Sequence, residues 1–267
     1  MLVVIKGAGD IATGIALRLH HARFQVVITE IERPTAIRRT VCFSRAVTEG
    51  KATVEGVTAE LSQNAQEVYG VFLRGNIAVL VDPQAACIPE LRPGAVVDAV
   101  LAKVNLGTRI TDAPVVIGIG PGFTAGVDCH AVVETQRGHM LGRVITQGSA
   151  APNTGIPGNI GGYTVERILR APQDGVFEQM LEIGTEVRAG DIAGTVDGMP
   201  MRAAIDGILR GILPGGTPVH KGMKSGDVDP RCKAEHCYTV SDKALSVGGG
   251  VLEAILRFTP ENLIGLR

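Results

Sequence analysis

Gly7, Gly9 and Ala12 stand in a G-x-G-x-x-A spacing, directly after the apolar run 2–6 and at the head of a helical pattern. Such a turn grips a pyrophosphate. Gly7 permits the tight bend, Gly9 lets backbone N–H groups approach phosphate at a helix N-terminus, and Ala12 lets helix and strand pack closely. Glu30 closes the next apolar run, 25–29. It would accept from a ribose 2′-hydroxyl and so favour an NAD-type ligand, whereas Arg33 nearby would answer a 2′-phosphate. Asp10 would cap the helix, and its charge would repel a phosphate.

Further residues could line the same crevice. Gly118 to Gly126 is a second glycine-rich loop; Pro121 removes one donor, so Gly120 and Gly122 read as a ligand-lining turn. Arg137-Gly138-His139 pairs a guanidinium able to clamp an anion with an imidazole able to move a proton near neutral pH. These two are the candidate catalytic residues. Lys103, Asn105 and Thr108 follow Asp98, and Asp98 with Lys103 is alternatively an ordinary ion pair. Cys232-x3-His236-Cys237 offers three soft ligands without a second cysteine pair, so a surface loop is expected there and no metal site.

The elements that would hold these residues are short apolar runs: 2–6, 25–29, 77–81, 95–97, 114–117 and 131–133, most delivering an acid or glycine to their carboxyl ends. They predict an α/β fold with a Rossmann-like, mostly parallel doubly wound sheet over residues 1–150. A tail, 231–267, carries a helix that begins at Ser241-Asp242-Lys243, passes Gly248-Gly249-Gly250 and packs back on the core.

Between them, 151–230 contains a duplication. Asp174-Gly175 recurs as Asp206-Gly207, Gly184-Thr185 as Gly216-Thr217, and Ala189-Gly190 as Lys221-Gly222, always 32 positions apart. One β unit built twice predicts a small all-β barrel-sandwich module. It resembles the biotinyl/lipoyl carriers, whose modified lysine sits in a hairpin between the halves. Here that hairpin reads Asp197-Gly198-Met199-Pro200-Met201, and Pro200 has no amine to acylate.

The chain has 267 residues, 45% of them hydrophobic but only 3% aromatic, with a net charge of −1. The core must be aliphatic, and no broad field favours nucleic acid. No apolar run approaches the roughly 20 residues that cross a bilayer. The five cysteines suit a reducing compartment, so the cytoplasm is expected. A homo-oligomer stays open.

The glycine turn 7–14, the loop 120–123, the run 134–139, Asn153-Thr154-Gly155-Ile156-Pro157-Gly158, Asp227-Val228-Asp229-Pro230-Arg231 and the tail 248–256 occur in this order. Together they resemble the YqeB-type accessory proteins of selenium-dependent molybdenum hydroxylases over nearly the full length. The resemblance implies a maturation role for a xanthine-dehydrogenase-like enzyme, with the hydroxylase or its cofactor-assembly proteins as partners. The ligand would be NAD(P) or molybdopterin cytosine dinucleotide. An NAD(P)-dependent oxidoreductase and a non-catalytic scaffold are the alternatives.

Overall fold

The computed structural model describes residues 1–260. The described residues form two compact units: 1–34, 42–153 and 240–260, and 35–41 with 154–239. Residues 231–239, read from the sequence as tail, cluster with the second unit.

The first unit is built on β1 (Leu2–Lys6), α1 (Asp10–His21), β2 (Gln25–Glu30), α2 (Arg45–Glu49), β3 (Lys51–Val54), β4 (Val57–Ser62), α3 (Glu67–Leu73), β5 (Ile77–Val81), α4 (Ile88–Leu91), β6 (Ala95–Asp98), β7 (Val115–Ile119), β8 (Ala131–Val133) and β9 (Val144–Ile145). The strands lie in the order β3-β4-β5-β2-β1-β6-β7-β8-β9. The sheet is mixed: β4 to β8 pair in parallel with β1 and β2 among them, while β3 and β9 close the two edges antiparallel.

This corrects the expected Rossmann-like doubly wound arrangement. No helix joins β6 to β7 or β7 to β8. The intervening stretches carry Gly107, Gly120, Pro121, Gly122 and Gly126, which break helices. The hairpin β3–β4, built from the alternating run 51–62, was not foreseen either.

Alternation on the strands sorts the core. Val4, Val27, Ala78, Val96, Val116 and Val132 share one face with Val68, Val71, Leu91 and Phe123. The chain's return helix, α6 (Asp242–Phe258), lies with α1 in this unit. Its start is fixed by Ser241, whose hydroxyl accepts from Ala244 N. A Cβ on Gly14 of α1 would lie 2.6 Å from Ala244 Cβ, so the two helices meet almost backbone to backbone.

The second unit holds β10 (Ile168–Arg170), β11 (Gly175–Gln179), β12 (Glu186–Val187), β13 (Ile192–Val196), β14 (Met199–Arg202), β15 (Gly207–Ile212), β16 (Thr217–Val219), β17 (Lys224–Asp229) and the short α5 (Glu235–Tyr238). Two antiparallel sheets form, β10-β17-β15-β12 and β14-β13-β11-β16. Shifting by 32 residues turns one list into the other. The hydrogen bonds follow the same rule. Lys221 N donates to Asp174 and Ala189 N to Asp206. Gly222 N donates to Ala171 O and Gly190 N to Ala203 O. Each half therefore closes the other's turns. Phe177, Leu209, Ala193 and Val228 fill the space between the sheets.

Candidate ligand-binding crevice

The carboxyl ends of β1, β6, β7 and β8 gather the chemistry of the first unit. Lys6 and Asp98 end neighbouring strands and are both buried. Lys6 Nζ lies 3.3 Å from Asp98 Oδ2 and donates to Thr108 Oγ1 at 2.6 Å; Thr108 in turn donates to Asp98. Asp98 thus pairs with Lys6, which corrects the expected pair with Lys103.

Thr108 anchors the far end of loop 99–108. Leu101 and Lys103 hold φ of 61° and 68° there, a conformation that costs non-glycine residues energy. Asn105 stiffens the loop, accepting from Gly107 N and Thr108 N and donating to Thr108 O. Gly122 supports it from the other side. A Cβ at Gly122 would lie 2.8 Å from Val104 N and 2.9 Å from Lys103 C. Its lack of a side chain therefore serves close backbone approach to the loop. Gly120, with φ of 74°, fits under Thr135 in the same way.

The loop presents Lys103, and the first turn of α6 presents Lys243. Burial pulls the ammonium of Lys103 below the ordinary lysine range. Burial also lowers Lys243, helped by the positive charges of Lys103 and Arg137; Asp10 and Glu134 act in the opposite direction. The nearby acids are partly spent. Glu134 accepts from Thr135 N and Gln136 N at 2.7 Å and from Ala151 N at 2.8 Å. Asp242 holds Arg137 through two bonds of 2.7 and 2.9 Å. Among the described residues no salt bridge engages Lys103 or Lys243. The positive charge of Lys103 thus bears on Lys243 across this crevice.

The opening bend is arranged differently from its sequence reading. Gly7 N donates to Thr29 O. Ala8 N donates to Glu30 Oε2 at 2.9 Å, and Ile11 N to Asp10 Oδ1 at 2.9 Å. Ala8 O accepts from Ser44 N, and Thr13 Oγ1 accepts from Phe43 N. The protein's own carboxylates therefore take two amides expected to grip a diphosphate. Glu30, expected on a ribose, braces the bend and also accepts from Ile31 N. Burial raises its carboxyl above the ordinary range, against the two backbone hydrogen bonds. Gly9 does keep open space where a Cβ would stand, and Ala12 is buried as expected.

The sequence-derived residues thus fall into two groups. Gly7, Gly9, Asp10, Ala12 and Glu30 build the bend, while Gly120, Gly122 and Arg137 stand with loop 99–108 and α6. His139 is exposed in the turn after β8. The sequence reading missed Lys6 and Lys243. One signal pointed to Lys243: a lysine in the first turn of a helix opposes the helix dipole. The cysteines of the tail segment diverge, Cys232 being exposed and Cys237 buried with its Sγ 3.9 Å from Leu209 O. No group of three or more His, Cys, Asp or Glu side chains is placed to hold a metal ion among the described residues. No helix among them is long and apolar enough to cross a membrane.

No family model matches the chain. The uncharacterized protein YqeB of Escherichia coli (strain K12) is 52% identical over 255 residues, 96% of this chain and 47% of that protein. The chain spans about half the length of this curated relative. Solved structures give fainter likenesses. An aspartoacylase family protein from Mesorhizobium loti is 13% identical, over 85% of this chain and 83% of that one, with a TM-score of 0.27. A succinylglutamate desuccinylase from a Silicibacter species is 11% identical, over 85% and 84%, with a TM-score of 0.25. A succinylglutamate desuccinylase/aspartoacylase from Rhodobacter sphaeroides is 24% identical, over 32% and 29%, with a TM-score of 0.22. TM-scores this low carry nothing about fold or chemistry. The identity to YqeB supports a YqeB-family protein.

Proposed function

For a YqeB-family protein built this way, we propose an accessory role in the maturation of a selenium-dependent molybdenum hydroxylase, exercised by holding the phosphate end of a nucleotide-bearing ligand. The ligand is molybdopterin cytosine dinucleotide or NAD(P). One observation carries the reading: exposed Lys103 and half-buried Lys243 stand at the carboxyl edge of the sheet with no salt bridge among the described residues, and the charge of Lys103 bears on Lys243. A phosphate between them offsets the positive charge that Lys103 and Arg137 place on Lys243. Arg137, oriented by Asp242, adds positive charge, and a Cβ at Gly9 would meet no atom within 4 Å. The bend itself contributes shape more than amide donors, because Glu30 and Asp10 occupy Ala8 N and Ile11 N.

Calorimetric titration of the protein with NAD+, NADP+ and molybdopterin cytosine dinucleotide tests this. Saturable binding of at least one of them is expected. It should weaken at least about tenfold in each of Lys103→Met and Lys243→Met, the loss of one charge-assisted contact. Absence of binding by the parent protein overturns the reading. A scaffold that docks the hydroxylase through its β unit is then favoured, since that unit lacks a carrier lysine and the bend's amides are internally satisfied.

A further inference from the structure

Positive φ at a residue with a side chain costs energy, and it persists only where the surroundings enforce it. At Glu55, Asp197, Arg23 and Arg92 it has a local reason. Glu55 and Asp197 each precede a glycine in a hairpin turn, and Arg23 and Arg92 end helices. Leu101 and Lys103, with φ of 61° and 68°, have no such reason, because loop 99–108 contains neither a helix end nor a hairpin. Two strained residues within three positions need an enforcing frame.

That frame is built on Asp98. The loop leaves Asp98 at the end of β6 and returns to it. Val100 N donates to Asp98 Oδ1 at 3.2 Å, and Thr108 Oγ1 donates to Asp98 Oδ2 at 2.5 Å. Lys6 Nζ locks this closure, donating to Thr108 Oγ1 at 2.6 Å and lying 3.3 Å from Asp98 Oδ2. All three residues are buried. Two glycines prop the loop from outside. A Cβ at Gly7 would lie 3.0 Å from Ala99 O and 3.1 Å from Val100 Cα, and one at Gly122 would press on Lys103 C and Val104 N. Asn105 braces it from within, bonding both the N–H and the C=O of Thr108. Exposed Lys103 stands midway along a loop that is closed at its base, as in a compact Ω-type loop. Stability alone is a poor reason for burying Lys6 with Asp98, because apolar residues of similar volume do as well as buried ion pairs. Closing the loop is the better reason.

We propose, resting on the reading of the crevice as a phosphate site, that Thr108 is a positioning residue for Lys103. Gripped by Lys6 and Asp98, its hydroxyl closes the base of the loop and so keeps the Lys103 ammonium where the phosphate of a nucleotide-bearing ligand meets it. Thr108 touches no ligand and acts through the loop backbone. A loop held in its binding conformation spares the ligand the entropy of ordering it, and the strain at Leu101 and Lys103 is the cost of that preorganisation.

A double-mutant cycle on the full chain tests this. Calorimetry is run with NAD+, NADP+ and molybdopterin cytosine dinucleotide and read with whichever of them binds the parent. Thr108→Val keeps the shape of the side chain and the Lys6–Asp98 pair but opens the base of the loop. It should weaken binding at least about fivefold, and Thr108→Ser, which restores the hydroxyl, should recover the parent's affinity. In the Lys103→Met background Thr108→Val should change affinity by less than about twofold, because no ammonium is left to position. Equal weakening in both backgrounds marks a merely structural role and overturns the proposal. So does unchanged binding in Thr108→Val. If Thr108→Val does not fold, Asn105→Ala, which frees the same backbone from within, takes its place in the cycle with the same outcomes. A parent that binds none of the three sinks the phosphate reading and the positioning role together, whereas binding that ignores Thr108 sinks the positioning role alone.

Discussion

At the scale of single residues, two carboxyl groups shift in opposite directions, half-buried Glu30 in the first unit and buried Asp229 in the second. Burial raises Glu30, so the folded chain binds its proton more tightly than the unfolded chain. Stability from this group is greatest below the unfolded value of about 4.3 and falls as pH rises through the folded value. Glu30→Gln imitates the protonated form. Urea unfolding from about pH 4 to about pH 7 should show parent and variant alike in acid, with the parent losing ground as pH rises. Asp229 has the opposite sign. Its folded carboxyl is held low, so its contribution is complete at neutral pH and is lost as pH falls below about 4. Asp229→Asn should therefore destabilise at neutral pH, by about 3 kcal/mol, because Arg210 and Arg231 lose the charge they bond, with the deficit narrowing in acid. Little of this was legible beforehand. The residues that carry charge were visible, but Lys6 finds Thr108 across 102 positions and Arg167 finds Asp227 across 60. No local spacing records such pairings.

At the scale of elements, α6 explains why a helix tolerates three consecutive glycines. A Cβ on Gly248 would lie 2.8 Å from Gly14 O, and one on Gly250 would lie 2.2 Å from Gly142 O. Gly249 faces open space. The same substitution should thus change sign within two positions. Gly249→Ala should stabilise by about 0.5–1 kcal/mol through helix propensity. Gly248→Ala should destabilise by about 1–3 kcal/mol, since the gap between helices cannot take a methyl group. Thermal melts of the two variants check both signs, and a stabilised Gly248→Ala would mean that the helices are not in contact there. The sequence reading found this need for close packing, because glycine is expensive in a helix. It also found the apolar strands 2–6, 77–81 and 131–133. It did not find the way they are joined. Stretches 99–114 and 120–130 lack helical periodicity, but a crossover helix was assumed from the parallel pattern. Short apolar runs fix strands more firmly than they fix the connections between them.

At the scale of the whole molecule, the 32-residue repeat was legible because its turns demand particular residues at matched places. Its energetic meaning needed coordinates: Asp174 serves Lys221 and Asp206 serves Ala189, so neither half is finished without the other. Asp174→Ala and Asp206→Ala should each cost about 0.5–1.5 kcal/mol, the worth of one such hydrogen bond, and agree with each other within about half a kcal/mol. Denaturation followed by near-UV signals from the β unit should give one transition in both variants. Two separate transitions would contradict the reciprocal design. The duplication also supplies an internal control: Glu178, Thr195 and Asp197 occupy in one copy the places that Arg210, Asp227 and Asp229 occupy in the other, so one backbone unit can be compared with and without buried charge inside a single polypeptide.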